Sequence, residues 1–571
     1  MMPIVTLLFR GKGVMFVAAT IMACRGDKDP SGQEPDTDTD GGADTATDTD
    51  TGSSGQPDCS VHIFEDITIP VRDKAELAAF VRIPEDPDCQ LPTVFVYTSY
   101  DKENSRDLWF TDEGVEPLFD SRDYAFVVAD WRGRYGSDEY DAGGADQNGE
   151  DGYDIVEWIA EQSFSDGHVG MYGPSALGGV QFTIAELQPP HLSAIVPIFA
   201  GPIENNYEKY MPGGVVRKEY LDAIGILYSS TTDFLEEHPT YDATWQYLEA
   251  LSTPELTEVP VLHVNGFFDL HAGITLAGSQ MLTGTSERRL LIGEWHHFAS
   301  GGSTDWFSDM SEQELLWWDE ERRIQTDALA FFDRHMAGVA SDADDWAPVR
   351  YQRADEWLDS DTWPPSDSET LTLYLGDGTL QDSAPDSAEY DFPYDPEDPS
   401  PTVGGQTLLY TYSHGPDWQD EVVERDDALV FVTDELTEDV DLAGPIAATL
   451  QVSTTGDDTH LVIRVTDVHP DGSHLLLTDG IRRLGLYGGL DSLSDIEPGE
   501  VYDMPVDATN PLAWKFEAGH RIGLILTSSN YSRFERASNS GSVVYEEAEE
   551  VLEVTNTLVS GESTLTLTIE P

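Results

Sequence analysis

The stretch Val169-Gly170-Met171-Tyr172-Gly173-Pro174-Ser175-Ala176-Leu177-Gly178-Gly179 constrains this chain more than any other. A short apolar run meets a serine flanked by small residues, and Val180 to Leu187 continues in a helix-compatible pattern. This is how a nucleophile elbow reads: a sharp strand-to-helix turn that lifts a hydroxyl clear of an α/β sheet. Serine is a weak nucleophile at neutral pH, so such a site needs a histidine base and an acid to orient it. The frame Gly-x-Ser-x-x-Gly is one residue longer than the usual Gly-x-Ser-x-Gly, and a plain glycine-rich loop is the competing reading.

The flanking pattern suits the elbow. His62 to Pro70 and Ala75 to Ile83 alternate around Arg72-Asp73-Lys74, which predicts a β-hairpin. Pro92 to Thr98 and Tyr124 to Ala129 are continuous apolar runs, as in strands buried on both faces of a parallel sheet. Asp151 to Glu161 has helical spacing, and further strands are expected at Ser193 to Ile198, Val259 to Asn265 and, as the last of the sheet, Leu290 to Gly293. Alternating strands and helices imply a doubly wound α/β core. Between Gly201 and Pro254 the spacing is helical throughout, which predicts a cap inserted into the sheet protein. Glu314 to Met336 reads as one more amphipathic helix. After Pro364-Pro365 the texture changes to short alternating strands at Thr370 to Leu375, Ala428 to Val432, Ala447 to Ser453, Leu461 to Val465, Arg521 to Thr527 and Thr564 to Ile569. That is an all-β sandwich of jelly-roll type.

An acid and a base follow the serine in the order such a core requires. Asp269 ends the apolar run Val264-Asn265-Gly266-Phe267-Phe268-Asp269, and His297 follows the next strand in Ile292-Gly293-Glu294-Trp295-His296-His297, with His296 as its competitor. A carboxylate holding one imidazole nitrogen leaves the other free to take the serine proton. The oxyanion needs donors too. The Ala176 amide is one candidate, and the Tyr100 hydroxyl in Thr98-Ser99-Tyr100-Asp101-Lys102 is another, although spacing alone favours a core tyrosine. Fourteen histidines show no HExxH spacing and no phosphate-binding glycine loop occurs, so neither metal nor cofactor is implied.

Many separate strings in one order carry a resemblance over roughly residues 61–571: Tyr100-Asp101-Lys102, Asp130-Trp131-Arg132-Gly133, Asp166-Gly167-His168-Val169-Gly170-Met171, Phe268-Asp269, and Gly293-x-Trp295-x-His297. The second half adds Tyr394 to Pro399, Asp467-Val468-His469-Pro470-Asp471-Gly472, Thr478-Asp479-Gly480, Gly519-His520-Arg521 and Ser528-Ser529-Asn530. The chain resembles the serine hydrolases that include cocaine esterase, X-prolyl dipeptidyl aminopeptidases, cephalosporin (glutaryl) acylases and α-amino-acid ester hydrolases. The resemblance implies an α/β-hydrolase core (61–365) with a helical cap insertion (200–258), then a C-terminal all-β jelly roll (366–571) closing the site. It implies Ser175, Asp269 and His297 as a triad, with Tyr100 and Ala176 forming the oxyanion hole, and its Gly-x-Trp-x-His frame selects His297 over His296. The Asp130 to Gly133 string reads as a loop brace. The family commonly has Ser-Tyr at the elbow, where this chain has Ala176. In the α-amino-acid ester hydrolases an acidic pair follows the triad aspartate. Here Leu270-His271-Ala272 follows, which counts against that activity. Phe268, Leu270 and His271 are expected to line a mostly apolar acyl pocket, and Glu204 is the candidate carboxylate for a substrate amine.

The N-terminal pattern predicts a protein outside the cytoplasm. Arg10 and Lys12 precede an apolar run from Val14 to Ala23 that ends at Cys24, an export signal of lipoprotein type with Cys24 as the lipid acceptor; Met15 is an alternative start. The run is too short to span a bilayer. Residues 25–60, rich in Asp-Thr repeats, Gly, Ser and Pro, read as a disordered tether. The protein is therefore expected to be exported: periplasmic or surface-exposed on a lipid anchor, otherwise secreted. Of three cysteines, Cys59 and Cys89 remain as a candidate disulfide pair.

The expected activity is cleavage of a small-molecule or peptide ester or amide through an acyl-enzyme. An X-prolyl dipeptidyl-peptidase is the first alternative, and a catalytically inactive surface lipoprotein that binds a partner is the second. Charge excludes other classes. The chain carries 108 acidic against 30 basic residues in 571, for a net charge of −78. Residues 1–24 hold two basic groups and 25–60 hold two basic against ten acidic, so −72 falls on the body from 61 onward. Nucleic acid and anionic membrane would be repelled, leaving the lipid anchor as the only expected membrane contact. A lysine-poor, aspartate-rich body of this charge suits a salty medium that screens self-repulsion. The unfolding temperature is expected to rise between low and molar salt; a flat or falling profile by calorimetry would refute this.

Overall fold

The computed structural model describes residues 59–60, 62–110, 123–138, 146–203, 206–224, 229–297, 323–354, 356–409 and 412–571. The export signal with Cys24, the tether up to residue 58, Glu204, and residues 314–322 of the expected long helix lie outside the described residues.

A ten-stranded sheet organises the first part. Its strands are β1 (His62–Pro70), β2 (Glu76–Pro84), β3 (Leu91–Thr98), β4 (Ala125–Asp130), β5 (Ser165–Pro174), β6 (Leu192–Ile198), β7 (Val261–Gly266), β8 (Arg288–Gly293), β9 (Val349–Arg353) and β10 (Glu356–Ser360). They stand in the order β1-β2-β4-β3-β5-β6-β7-β8-β9-β10. β1 and β2 form the antiparallel hairpin, β2 joins β4 antiparallel, and the strands from β4 through β9 are parallel. The parallel strands are apolar because both faces are covered. In β3 Val94, Phe95 and Val96 are at most 1% exposed, and each such side chain contributes about 1.5–3 kcal/mol of burial.

The sheet does not end at β8, where the sequence pattern stops. β9 and β10 extend it as an antiparallel edge hairpin. Their sequences, VRYQR and EWLDS, are polar and half-buried, so no continuous apolar run announces them. Helices α1 (Lys102–Phe110), α2 (Asp146–Ala160) and α3 (Ala176–Ala185) connect the central strands. Between β6 and β7 run four short helices: α4 (Tyr207–Tyr210), α5 (Lys218–Ala223), α6 (Ser229–Glu237) and α7 (Ala243–Glu249). They bury their own aromatic cluster, with Tyr207, Tyr210, Tyr220 and Trp245 packed on Leu270. The α8 helix (Ala272–Ser279) follows β7. Residues 323–332 are α-helical and pass into a π-helical turn at Asp333–Ala337. Among the described residues no helix is long and apolar enough to cross a membrane.

The remaining strands form two antiparallel sheets. One contains β11 (Glu369–Leu375), β12 (Leu380–Gln381), β13 (Glu389–Tyr394), β15 (Val440–Thr454), β18 (Tyr502–Asp507), β19 (Leu512–Phe516) and β21 (Val554–Glu570). The other has the order β14 (Leu429–Val432), β20 (Arg521–Thr527), β16 (His460–Val468) and β17 (His474–Arg483). Together they make the jelly-roll sandwich. Sequence alternation shows β11, β14, β15, β16, β20 and β21; it misses β12, β13, β18 and β19, and also β17, whose inner run Leu475 to Arg483 is almost wholly buried and does not alternate. One apolar cluster unites Leu450, Ile463, Leu524 and Leu565 of the sandwich with Phe267, Phe268 and Ile292 of the first sheet. The two parts therefore share a core.

Cys59 and Cys89 form a disulfide that ties the chain three residues ahead of β1 to the turn before β3, with Cα atoms 5.6 Å apart and 30 residues of separation. Closing a loop of that length is worth roughly 3–4 kcal/mol in the chain-entropy account. Replacing both cysteines by alanine should lower unfolding free energy by about 2–4 kcal/mol in denaturant titrations, and single replacements should behave alike.

Candidate active site

Ser175 occupies a single residue between the end of β5 and the start of α3, with φ 56° and ψ −122°. L-residues avoid this backbone, and holding one there costs about 1–3 kcal/mol. The neighbours enforce it. Ser175 N–H donates to Ile198 O at 2.8 Å, and the Gly178 and Gly179 amides both donate to Ser175 O at 2.9 Å. Gly173 sits at φ 147°, where a Cβ would stand 2.7 Å from Leu177 Cβ; at Gly178 a Cβ would stand 2.8 Å from Ile198 O. Both glycines of the Gly-x-Ser-x-x-Gly frame are thus steric requirements of the turn. The longer spacing leaves Leu177 in the position after Ala176, where it is buried.

Ser175 Oγ–H donates to His297 Nε2 at 3.0 Å, and His297 Nδ1–H donates to Asp269 Oδ2 at 2.5 Å. Asp269 is fully buried, and its second oxygen accepts the His271 amide at 2.7 Å. The two loops are zipped by backbone: Phe267 N–H donates to Gly293 O and Phe268 N–H to Trp295 O. Trp295 is fully buried, and a Cβ on Gly266 would come within 2.1 Å of its carbonyl oxygen. This packing fixes which way the following residues point. His297 faces Ser175, whereas His296 stacks on His414 with ring centroids 5.1 Å apart. Burial holds the His296 imidazole well below its ordinary pKa, and the neighbouring His414 and His297 charges add to this.

Tyr100 is 37% exposed, and its hydroxyl donates to Ser175 Oγ at 3.3 Å. Its loop is held by the Asp130 string: Lys102 N–H donates to Asp130 Oδ1 at 2.7 Å, and Trp131 N–H to Thr98 O at 2.8 Å. Burial raises the Asp130 carboxyl to about 6, against the opposing Lys102 amide, with the Asp101 charge adding to the rise. Arg132 anchors the string in turn through Asp151 and Asp73. Ala176 is the first residue of α3, and first-turn amides have no acceptor within their own helix.

The expected pocket residues part company. His271 lies beside the Ser175–His297–Asp269 hydrogen-bond chain, its ring 5.6 Å from that of His297 and perpendicular to Tyr220 at 6.0 Å. Its Nδ1 is buried and makes no hydrogen bond among the described residues. Burial holds this imidazole well below its ordinary pKa, helped by the charges of Lys209, His297 and Arg217. Leu270 packs into the aromatic cluster of the cap. Phe268 joins the core shared with the sandwich, against Gly415.

Two residues that sequence reasoning did not single out hold the acid's loop. Asn510, 1% exposed, comes from the sandwich between β18 and β19. Its Nδ2 donates to Asp269 O at 2.6 Å and to Phe267 O at 3.3 Å, while its Oδ1 accepts from Gly273 N–H at 2.9 Å. Arg217 of the cap, also 1% exposed, donates to Leu270 O at 3.2 Å and to Gln406 O at 3.5 Å. Burial lowers its guanidinium to about 10, with the nearby Arg533 charge contributing. In sequence Asn510 stands before a proline and reads as a turn residue; nothing local ties it to a loop more than 230 residues away.

Residues 73–233 match the family described as X-Pro dipeptidyl-peptidase (S15 family), and residues 341–565 match the X-Pro dipeptidyl-peptidase C-terminal non-catalytic domain. A cocaine esterase from Rhodococcus sp. is 29% identical over 569 residues, spanning 88% of this chain and 97% of that protein. Among solved structures, an aminopeptidase from a marine-sediment Thaumarchaeota archaeon superposes with a TM-score of 0.73 at 21% identity, covering 92% of this chain and 99% of its own. An α-amino acid ester hydrolase does so with a TM-score of 0.70 at 21% identity, covering 91% and 98%. At those identities the structural likeness speaks to fold: an α/β-hydrolase core followed by an all-β domain. With both family matches in chain order and a relative aligned along nearly its whole length, the chain belongs to the cocaine esterase and X-Pro dipeptidyl-peptidase family of hydrolases.

Proposed function

We propose that this protein is an exported serine hydrolase that cleaves an ester through an acyl-enzyme, with Ser175 as nucleophile, His297 as base and Asp269 as its orienting acid. The observation that carries the reading is the unbroken hydrogen-bond chain from Ser175 Oγ through both His297 nitrogens to buried Asp269. In this scheme Oγ bonds to the carbonyl carbon as its proton passes to His297 Nε2. The carbonyl π electrons move to oxygen, which receives hydrogen bonds from the Tyr100 hydroxyl and the Ala176 amide. Collapse breaks the bond to the leaving group, which takes the proton from His297. Water then attacks the acyl-serine carbonyl, giving up a proton to His297, which passes it to Ser175 Oγ as the acyl–oxygen bond breaks and the acid leaves. The reading treats 61–365 as the hydrolase unit with its cap at 200–258, and 366–571 as the sandwich. The Cys59–Cys89 disulfide supports an oxidising compartment, in keeping with the signal at 1–24 and a lipid on Cys24.

Substrate preference follows from the surroundings of His271. Lys209 and Arg217 bear on it as cations, and the Asp269 carboxylate that accepts its amide is already engaged by His297. An imidazole in place of a carboxylate offers a substrate ammonium no counter-charge, which favours an uncharged acyl group over the free N-terminus that a dipeptidyl-peptidase must hold. The peptidase remains the second reading, on the strength of the S15 match, with Glu204 as its amine-binding candidate.

The protein should hydrolyse p-nitrophenyl acetate faster than Ala-Pro-p-nitroanilide. Ser175→Ala should lower ester turnover by about 10,000-fold or more. The opposite substrate ranking would favour the peptidase; equal turnover by wild type and Ser175→Ala would remove the nucleophile; and resistance to a serine-directed phosphonate would revive a binding protein.

Asn510 should behave as a positioning residue. Asn510→Ala and Asn510→Asp both lose the donors to Asp269 O and Phe267 O, but the aspartate keeps an acceptor for Gly273. Both should lower kcat by roughly 10- to 100-fold with a smaller change in KM. Near-normal kcat in Asn510→Asp would show that the Gly273 contact alone matters.

A further inference from the structure

Two sequence strings, Asp467-Val468-His469-Pro470-Asp471-Gly472 and Gly519-His520-Arg521, take no part in the hydrolytic site, yet the sandwich brings their polar side chains together. β16 and β20 are antiparallel neighbours, with Asp467 opposite Ile522 and Val468 opposite Arg521. His469 opens the loop after β16 and His520 precedes β20, so the register delivers the two histidines side by side. Their rings lie 4.4 Å apart between centroids, tilted by 41°. His520 Nδ1–H donates to Asp467 Oδ1 at 2.8 Å, and Trp514 Nε1–H donates to Asp467 Oδ2 at 3.1 Å. One ligand-type atom from each of Asp467, His469 and His520 lies within 4.8 Å of the others; Asp467 is buried and both imidazoles are half-buried.

We propose that Asp467, His469 and His520 form a binding site for a divalent transition-metal ion of the zinc type, at the end of the sandwich sheet. Two imidazoles and one carboxylate are the donor set of zinc and its neighbours, whereas calcium and magnesium prefer oxygen alone. Three protein ligands leave the remaining positions to water. Metal–ligand bonds of about 2.1 Å require ligand atoms no more than about 4.2 Å apart. The cluster must therefore draw in by roughly an ångström, a movement open to the half-buried His469 side chain, which is held by ring contacts to His520 and Trp418. The ion takes the place of the proton between His520 and Asp467: Nδ1 gives up its proton while Nε2 takes one from solvent, so the imidazole stays neutral and its Nδ1 lone pair and the carboxylate bond to the metal. The Trp514 indole then serves as the outer donor that holds the carboxylate in place. The net charge of −78 raises the concentration of cations around the molecule. Bound there, the ion would pin the β16–β17 loop to the β19–β20 turn, a structural staple independent of the catalytic chemistry.

The test is calorimetric titration of the whole chelator-stripped protein with Zn2+, beside His469→Ala and Trp514→Phe, with Ca2+ as control for diffuse binding to the acidic surface. Expected are a one-to-one Zn2+ isotherm, its loss in His469→Ala, and at least about tenfold weaker binding in Trp514→Phe. Zn2+ should raise the unfolding temperature of the wild type and leave that of His469→Ala unchanged. His469→Ala should melt like stripped wild type, which separates loss of the site from loss of the fold. Equal Zn2+ binding by wild type and His469→Ala, a Ca2+ isotherm matching that of Zn2+, or no saturable binding would each overturn the proposal and leave the His520–Asp467 pair as a hydrogen bond only.

Discussion

A serine at φ 56° cannot be held by its own preferences, and much of the first sheet is arranged around that fact. The constraint is met where β5 hands over to α3, beside the end of β6. Ile198 O receives the Ser175 amide, and the same oxygen forbids a side chain at position 178. Position 173 must be glycine because its backbone points where only glycine goes. The strain is thus borne by parallel strands whose side chains are almost wholly buried, which is the part of the molecule least able to relax. A hydroxyl raised on such a turn stays fixed while the groups around it are supplied by loops.

Those loops come from three regions. The sheet supplies Asp269 and His297 and binds their loops to each other by backbone. The cap supplies Arg217, whose guanidinium bridges the carbonyl after Asp269 to Gln406. The sandwich supplies Asn510, which takes the carbonyl of Asp269 itself. Arg217 is tolerable in its dry position because charges are balanced close by: Arg533 pairs with Asp479 at 2.5 Å, and Glu219 accepts the amides of Leu408 and Leu409. A buried ion network of this kind is weak support for stability but defines one docking geometry. The sandwich is therefore part of the acid's mounting, and the apolar core that runs through Phe267 and Phe268 into both of its sheets makes the same point in van der Waals terms.

How far the sequence reveals all this depends on the range of the interaction. Ser175, Asp269 and His297 are legible because each follows an apolar strand, a pattern contained in a dozen residues. The choice of His297 over His296 rests on Trp295, whose role becomes physical only when Gly266 is seen to leave room for its backbone. Tyr100 illustrates the limit: spacing suggests a core residue, and only the fold turns it outward toward Ser175. Phe268 illustrates the converse, an apolar neighbour of the acid that packs into the shared core. β9, β10 and β17 escaped because edge strands are polar and a strand buried on both faces does not alternate. Asn510 was beyond reach, since no local pattern encodes a hydrogen bond to a loop in the other half of the chain.

The electrostatics of the site run against those of the surface. The body carries a large negative charge, yet burial holds the His271 imidazole well below its ordinary pKa, with the Lys209 and Arg217 charges adding to this. A neutral imidazole with one unbonded nitrogen can still donate or accept a single hydrogen bond. An acyl group with one polar atom at that depth could meet it. On the proposed reading, the residue that stands where the resemblance leads one to expect acid would turn substrate preference from charge to hydrogen bonding.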